Sequence, residues 1–589
     1  MSYLDNPIFY LFRYMWRFSK GNRRDVVLFI VLSIFANGIY LTEPLVIAHI
    51  LNIIQQEGVT QANLPTITLY ALLFILLAAI FWVFHGPSRV LEQKNGFLAR
   101  KNLRTYLLEG VMDLPADWHT DHHSGDTIDK VEKGAEGLFR FSTDFFEIVD
   151  IFVRLVGSVI VLSIFSLSSG FITIGFIIIT FAIIIQFDKV LVRQLSQLNR
   201  AENAISAKVY DIISNISTVI ILRIQKIASK DIVKAMLKPF KLYVRFQKLN
   251  ETKWFLVSMM STTMLFVVLI FFLYTSMKTG GVILVGTVYA LYGYLQRTSD
   301  GFFRFAYIYS ERVRQKTALL NSEELSTSFE KTEKVEQVEM GEAWSTLEVR
   351  GCEFSYDGEG EEEQHIEDVS FDIHRGEKVA FIGESGSGKT TMLKLLRGLY
   401  QPQAVEVVVD HVAVPEQFLS ISDEIALIPQ EPEIFTATIK DNITLGVSYS
   451  MDQVEKHADL ALFSRVVAGL PHGYKSSIVE KGVNLSGGEK QRLALARGLL
   501  ASEDKSIVLL DEPTSSVDSA NELEIFKGVF AAFPNKTMIA SVHRLHLLPL
   551  FDRVYMFDNG KIVESGTFAD LKKESRQFQR LWENYKQHQ

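Results

Sequence analysis

Residues 383–391 read GESGSGKTT, and residues 485–492 read LSGGEKQR. The first string has the Gly-x4-Gly-Lys-Thr spacing of a loop that wraps a nucleotide's phosphates. Gly383, Gly386 and Gly388 open torsions closed to other residues and let main-chain N–H groups approach an anion. Lys389 brings a point charge to the β and γ phosphates, and the Thr390 hydroxyl is placed to ligate Mg²⁺. Glu384, Ser385, Ser387 and Thr391 complete that cradle. In the second string Ser486, Gly487 and Gly488 open a helix and turn backbone N–H groups toward an anion.

A second constellation supplies what hydrolysis needs. The run SIVLL at 506–510 is a buried-strand pattern ending in Asp511 and Glu512. An aspartate there can hold Mg²⁺, and the adjacent glutamate can orient and deprotonate an attacking water. His543, in SVHRL, lies just past another apolar stretch, where its imidazole reaches a γ phosphate. Gln430, in ALIPQEP, follows a further strand and offers an amide to metal or water. The elements that position these groups are legible around them. Apolar 379–382 reads as a strand before the phosphate loop, and MLKLLRGL reads as a helix after it.

The remainder of the chain reads as membrane. Apolar stretches at 26–50, 67–84, 148–167, 171–187, 255–274 and 282–295 mostly approach the roughly 20 residues that cross a bilayer. Stretches 55–63, 166–170 and 277–281 hold one basic residue, Lys278, whereas 89–140 and 189–253 hold many. The positive-inside rule therefore puts the N-terminus, both long loops and the C-terminal half in the cytoplasm. Aromatic and basic residues alternate in FYLFRYMWRF, as in an interfacial helix. Arg13, Arg17, Lys20, Arg23 and Arg24 come without a small-residue cleavage pattern, so no signal peptide is expected. At 589 residues there is room for two large domains, and a net charge of −8 argues against a nucleic-acid partner. The lone Cys352 makes no internal disulfide and reads as a small buried residue. His119, His122 and His123 lack the paired ligands of a metal site and read as a polar loop.

From about 347 to 573 the chain resembles the nucleotide-binding domain of ATP-binding-cassette (ABC) transporters, and the whole resembles a type IV ABC exporter half-transporter. The resemblance implies an α-helical domain of six spans followed by an α/β P-loop domain. The expected boundaries are an interfacial segment at 1–25, a membrane domain at 26–317, a linker at 318–345 and the cassette at 346–589. The resemblance also implies roles. Tyr356 stacks on adenine, Gln430 senses the γ phosphate and Asp511 holds Mg²⁺ with Thr390 and Gln430. Glu512 and His543 are catalytic. Ser486, Gly487, Gly488 and Glu489 complete the ATP site of an opposing subunit, and 515–518 links the two sites. Glu480 touches the intracellular loops. Two departures stand out: the acidic run 359–363 after Tyr356, and a QAVEVVVDH segment without the usual glycines. Glu489 stands where glutamine is commoner.

The helix–turn–helix around Pro115 and Ser124-Gly125 resembles the first intracellular loop of such exporters, with Trp118 at its docking turn, and 203–215 resembles the second. One cassette per chain implies a dimer, and intact motifs favour a homodimer over a heterodimer. The function implied is ATP-driven export, or lipid flipping, of an amphipathic substrate by alternating access. An importer on the same fold and an ATP-gated channel or regulatory subunit are the alternatives. No peptidase domain precedes the first span, which argues against a peptide-processing exporter, and the spans exclude a chromosome-type ATPase. Glu147, Asp150 and Arg154 share one helical face, with His85, Arg89, Gln296, Arg297 and Arg304 nearby. They suit an anionic amphiphile, or Asp150 and Arg154 simply pair with each other. The expected location is the bacterial inner membrane.

Overall fold

The computed structural model describes residues 6–122, 124–278, 283–329, 335–341, 343–356, 364–478 and 485–587. The chain divides into two units, Met1–Leu114 with His122–Lys331, and Pro115–Asp121 with Thr332–Gln589. The described residues of the first unit are helices and short connections. That follows from a bilayer, where only a helix or a closed barrel satisfies every backbone N–H and C=O. Leu64–Met112 and Leu167–Ser214 are 49 and 48 residues long, more than twice the roughly 20 a bilayer takes. They carry the first part of each long basic stretch, to Met112 and to Ser214, as unbroken helix.

Among the described residues, five segments are long and apolar enough to span: Arg23–Glu57, Leu64–Met112, Ser124–Phe165, Leu167–Ser214 and Gln225–Lys278. The sixth expected stretch opens helix Val285–Phe329, where tyrosines, glycines and then Arg297, Asp300 and Arg304 dilute the apolar run. Stretch 26–50, one span by composition, breaks into Arg23–Tyr40 and Glu43–Glu57. Pro44 explains the break, since it lacks an N–H and disfavours helix in the residue before it. Helix Val285–Phe329 also runs through 318–329, which composition alone assigns to a linker. Buried Leu319, Ser322 and Leu325 give that polar stretch an inward face. Beyond it, Gln337 and Val338 bond to Leu419 and Ser420, so 337–338 is fastened to the second unit.

The interfacial segment forms helix Pro7–Phe18, capped by Asn6, with Leu11, Tyr14, Met15 and Phe18 buried. Interior charges are paired. Asp150 takes Arg154 at 2.6 Å and Arg304 at 2.9 Å. Arg297 pairs with Glu43 at 2.8 Å, and Arg89 with Glu92. Lys253 reaches Asp188 at 3.0 Å and Ser310 at 3.3 Å, both charged side chains being 2% exposed or less.

In the second unit two sheets meet. Strands β1 (Thr346–Ser355), β2 (Gln364–His374), β4 (Ala404–Val409) and β5 (Val412–Ala413) form an antiparallel sheet in the order β2-β1-β4-β5. Strands β3 (Lys378–Ile382), β6 (Ile425–Ile428), β7 (Ile507–Asp511), β8 (Thr537–Ser541), β9 (Arg553–Asp558) and β10 (Lys561–Gly566) form the order β10-β9-β3-β8-β7-β6. All but β10 are parallel there. Strands covered on both faces read as unbroken apolar runs, and side chains still alternate. Val379, Phe381, Ile507, Leu509 and Ile539 pack with the antiparallel sheet. Ala380, Ile382, Val508, Leu510 and Met538 pack with helices Gly487–Ala501 and Ser519–Ala532. Cys352 is buried in β1, and burial pushes its thiol up to about 12, which keeps it unreactive.

The Lys253–Asp188 pair yields a stability prediction. Lys253→Ala strands a buried carboxylate and should cost about 3–5 kcal/mol, whereas Lys253→Ala with Asp188→Ala should recover most of it. Thermal melting of the purified protein in nanodiscs measures both; equal loss in single and double variants would contradict the pairing.

Candidate nucleotide site

The register of the parallel sheet gathers the chemistry at one edge. Ile428 lies beside Leu510, Asp511 beside Ser541, and Phe381 beside Ser541. The residues just past these ends are Gly383, Gln430, Glu512 and His543, so four separate strand ends deliver four groups to one crevice. Ligands of open α/β sheets bind outside such carboxyl ends.

The phosphate loop turns sharply between β3 and helix Lys389–Leu396. Gly383 has φ 146°, and a Cβ there would lie 2.2 Å from the Phe557 carbonyl oxygen, so only glycine fits. Gly388, at φ 104°, caps the helix. Glu384, Ser385 and Gly386 are exposed at the loop's outer side, while Ser387 and Thr391 are buried. Lys389 folds back on its loop, its Nζ donating to Gly383 O at 2.9 Å, Glu384 O at 2.8 Å and Ser387 Oγ at 3.3 Å. Burial pushes its ammonium pKa down, while Glu512 and Asp511 hold it up.

Thr390 Oγ1 donates to Asp511 Oδ1 at 2.9 Å. Burial raises the Asp511 carboxyl above its ordinary range and Glu512 adds to that, against the Thr390 hydrogen bond. A hydroxyl beside a buried carboxylate is the hard oxygen set that Mg²⁺ takes. Beside it, Glu512 accepts from Gln430 Nε2 at 2.8 Å and lies 2.6 Å from His543 Nε2. Glu512 sits at φ 44°, a conformation costly for a side-chain-bearing residue. Tyr356, just past β1, lies edge-on to Phe354 and Tyr400 at 4.8 and 5.2 Å, its hydroxyl 3.5 Å from Thr391 Oγ1.

Ser486 caps helix Gly487–Ala501 in a capping box with Glu489. The Ser486 N–H donates to Glu489 Oε2 at 2.7 Å, and the Glu489 N–H to Ser486 Oγ at 3.3 Å. That amide keeps the Glu489 carboxyl below its usual range. Glu489 thus has a local task, accepting the Ser486 N–H to close the cap, that a glutamine's amide oxygen can also perform. A Cβ on Gly488 would come within 2.7 Å of Ser516 O, and one on Gly487 within 3.8 Å of Ser516 Cβ, so the signature glycines lie against loop 515–518.

Two residues escaped sequence reasoning. Gln491 donates to Ser515 Oγ at 2.7 Å and Gln430 O at 3.2 Å and accepts from Ser516 N at 2.7 Å. Arg544 donates to Val517 O at 2.7 Å. Both stand inside quoted strings, LSGGEKQR and SVHRL, but a polar residue on a helix or loop carries no signal of which distant carbonyl it serves. Glu480, the run 359–363 and His123 lie outside the described residues. Among the described residues, no three His, Cys, Asp or Glu side chains group to hold a metal.

With this geometry in place, comparison with known proteins gives the class. A family model described as "ABC transporter transmembrane region" matches residues 26–298, and one described as "ABC transporter" matches 366–515. The chain belongs to the ABC transporter family and has the type IV exporter fold, with one membrane domain and one ATP-binding cassette. A solved structure of a bacterial Atm1-family ABC exporter with ATP bound superposes with TM-score 0.83 at 22% identity, over 95% of this chain and 99% of that one. The glutathione/L-cysteine transport system ATP-binding/permease protein CydD of Bacillus subtilis is 36% identical over 40% of this chain and 40% of that protein. An ATP-dependent lipid A-core flippase of Burkholderia pseudomallei is 36% identical over 39% of each. The chain thus aligns with about two fifths of the length of these relatives.

The capping box makes a direct prediction. Glu489→Gln should leave thermal stability within about 0.5 kcal/mol, while Glu489→Ala should cost about 1 kcal/mol by losing the reciprocal cap. Differential scanning calorimetry separates them, and equal melting of both variants would refute a capping role.

Proposed function

We propose that the chain is an ATP-driven exporter or lipid translocase that works as a dimer of itself. The observation that carries the reading is the convergence of Gln430 and His543 on Glu512, one residue after the Thr390–Asp511 pair. In this reading ATP lies along the phosphate loop with its adenine against Tyr356. Loop N–H groups and Lys389 meet the phosphates. Thr390, Asp511 and Gln430 hold Mg²⁺, which neutralises phosphate charge when bound. Glu512 orients the attacking water and takes its proton, while His543 and Gln430 keep the carboxylate aimed at the γ phosphate.

Ser486, Gly487 and Gly488 complete the site of the second copy, so nucleotide draws two cassettes together. Glu489 acts through the capping box that shapes the Ser486 turn. Segment Pro115–Asp121, whose residues 116–121 form a short helix, groups with the cassette unit, which suits transmission of that closure to the spans. Six spans follow from helix Val285–Phe329 acting as the last one. For function we divide the chain into 1–25, 26–317, 318–345 and 346–589, with helix Val285–Phe329 running from the second division into the third. Location in a bacterial inner membrane with the cassette in the cytoplasm fits the charge asymmetry of the loops.

Outward movement is favoured over import because the structural neighbour is an exporter and the Burkholderia relative a flippase. For the substrate, the anionic-amphiphile reading loses weight. Asp150, Arg154, Arg304, Arg297, Glu43, Arg89 and Glu92 are all engaged with one another. An amphipathic substrate is the class that the membrane domain supports.

Glu512→Gln tests the chemistry. Hydrolysis should fall by roughly 10²- to 10⁴-fold with ATP binding retained, since only the general base is lost. Lys389→Ala should instead weaken binding itself. Near-normal turnover in the glutamine variant, measured by phosphate release in nanodiscs, would remove Glu512 from the mechanism.

A further inference from the structure

Loop 515–518 links the signature turn to the end of β7, yet it pairs with no strand. Its carbonyls need donors. One arginine supplies them: Arg544 donates from Nη1 to Val517 O at 2.7 Å and from Nη2 to Ser515 O at 3.3 Å. Glu522, 6% exposed, holds that guanidinium at 3.1 Å and also accepts from Thr514 Oγ1 at 2.7 Å. The preceding residue, His543, grips Glu512 at 2.6 Å. Two consecutive residues therefore hold the carboxylate and the loop. Glu512, Glu522, His543 and Arg544 line one half-open cleft of about 120 Å³, so these groups share a single recess. On the loop's other side Gly488 abuts Ser516 O. His546, 3.7 Å from Glu522, is anchored by Tyr585 at 2.9 Å on helix Arg576–Gln587.

We propose that Arg544, oriented by Glu522, is a positioning residue of the ATPase: it fixes loop 515–518 relative to Glu512 and to signature residue Gly488. The inference rests on the ATPase reading above. Arg544 touches no reacting atom. It makes the placement of Glu512 depend on the placement of the loop, and so couples hydrolysis to the state of the signature turn. A lysine cannot replace it, because one ammonium does not reproduce the planar fork that spans two carbonyls and a carboxylate.

The test measures ATP turnover and nucleotide affinity of the full-length protein in nanodiscs. Arg544→Ala should lower kcat by about 10- to 100-fold, the scale of a small misplacement in a catalytic constellation, with KM changed less than about twofold. Arg544→Lys should recover little. Glu522→Gln should keep at least about half the turnover, since its amide oxygen still accepts, while Glu522→Ala should resemble Arg544→Ala. The double alanine variant should be no slower than Arg544→Ala alone, as expected of residues acting as a unit. A kcat within about twofold of wild type for folded Arg544→Ala, a loss confined to KM, or additive losses would each overturn the positioning role. If wild type itself hydrolyses no ATP, the ATPase reading fails instead, and this inference falls with it.

Discussion

The hydrogen bond from Thr390 to Asp511 joins the phosphate-loop helix to the end of a wholly buried strand, and the rest of the site is built outward from it. One residue further on, Glu512 occupies a torsion that costs of order 1–3 kcal/mol for a residue with a side chain. Gln430 and His543, delivered by two other strand ends, close on its carboxylate. The parallel sheet makes this possible. Its register fixes where four loops begin, and its apolar faces, packed on helices and on the antiparallel sheet, leave that edge no freedom to slide.

The first unit answers to a different constraint. Helices that cross lipid cannot leave charges unpaired, and here the buried ones are matched: Lys253 with Asp188, Asp150 with two arginines. Two of these pairs connect different helices: Lys253–Asp188 joins Leu167–Ser214 to Phe240–Lys278, and Arg304–Asp150 joins Phe145–Phe165 to Val285–Phe329. These contacts fix which helices stay together. The proposed alternating-access cycle needs bundles that move as bodies, and such pairs are one means of defining a body.

Much of the cassette is legible from the chain itself, because its chemistry is local. Glycines at fixed offsets before Lys389, and an apolar run ending in Asp511-Glu512, carry their own strand and helix context. Glu489 is also readable once the capping box is considered, since Ser486 and Glu489 stand three apart at a helix start. Less was visible where long-range geometry decides. The division at Pro44 hides in an apolar stretch whose composition matches a single span. Residues 318–329 look like a linker because only one face of that helix is apolar. Gln491 and Arg544 act through partners 24 and more residues away in sequence, the Ser515 hydroxyl and the Val517 carbonyl among them, and no periodicity announces such partners.

In the proposed dimer each nucleotide is enclosed by the phosphate loop of one copy and the signature turn of the other. Mixed dimers test it. One tagged chain carries Lys389→Ala and the other Gly488→Asp, and the heterodimer is isolated through both tags. Either variant alone should trap no nucleotide with vanadate. In the heterodimer both lesions fall in one site and leave the other whole, so trapping of one nucleotide per dimer is the predicted result. If the signature served its own chain, every site would carry a lesion, and a heterodimer that traps nothing would contradict a shared site.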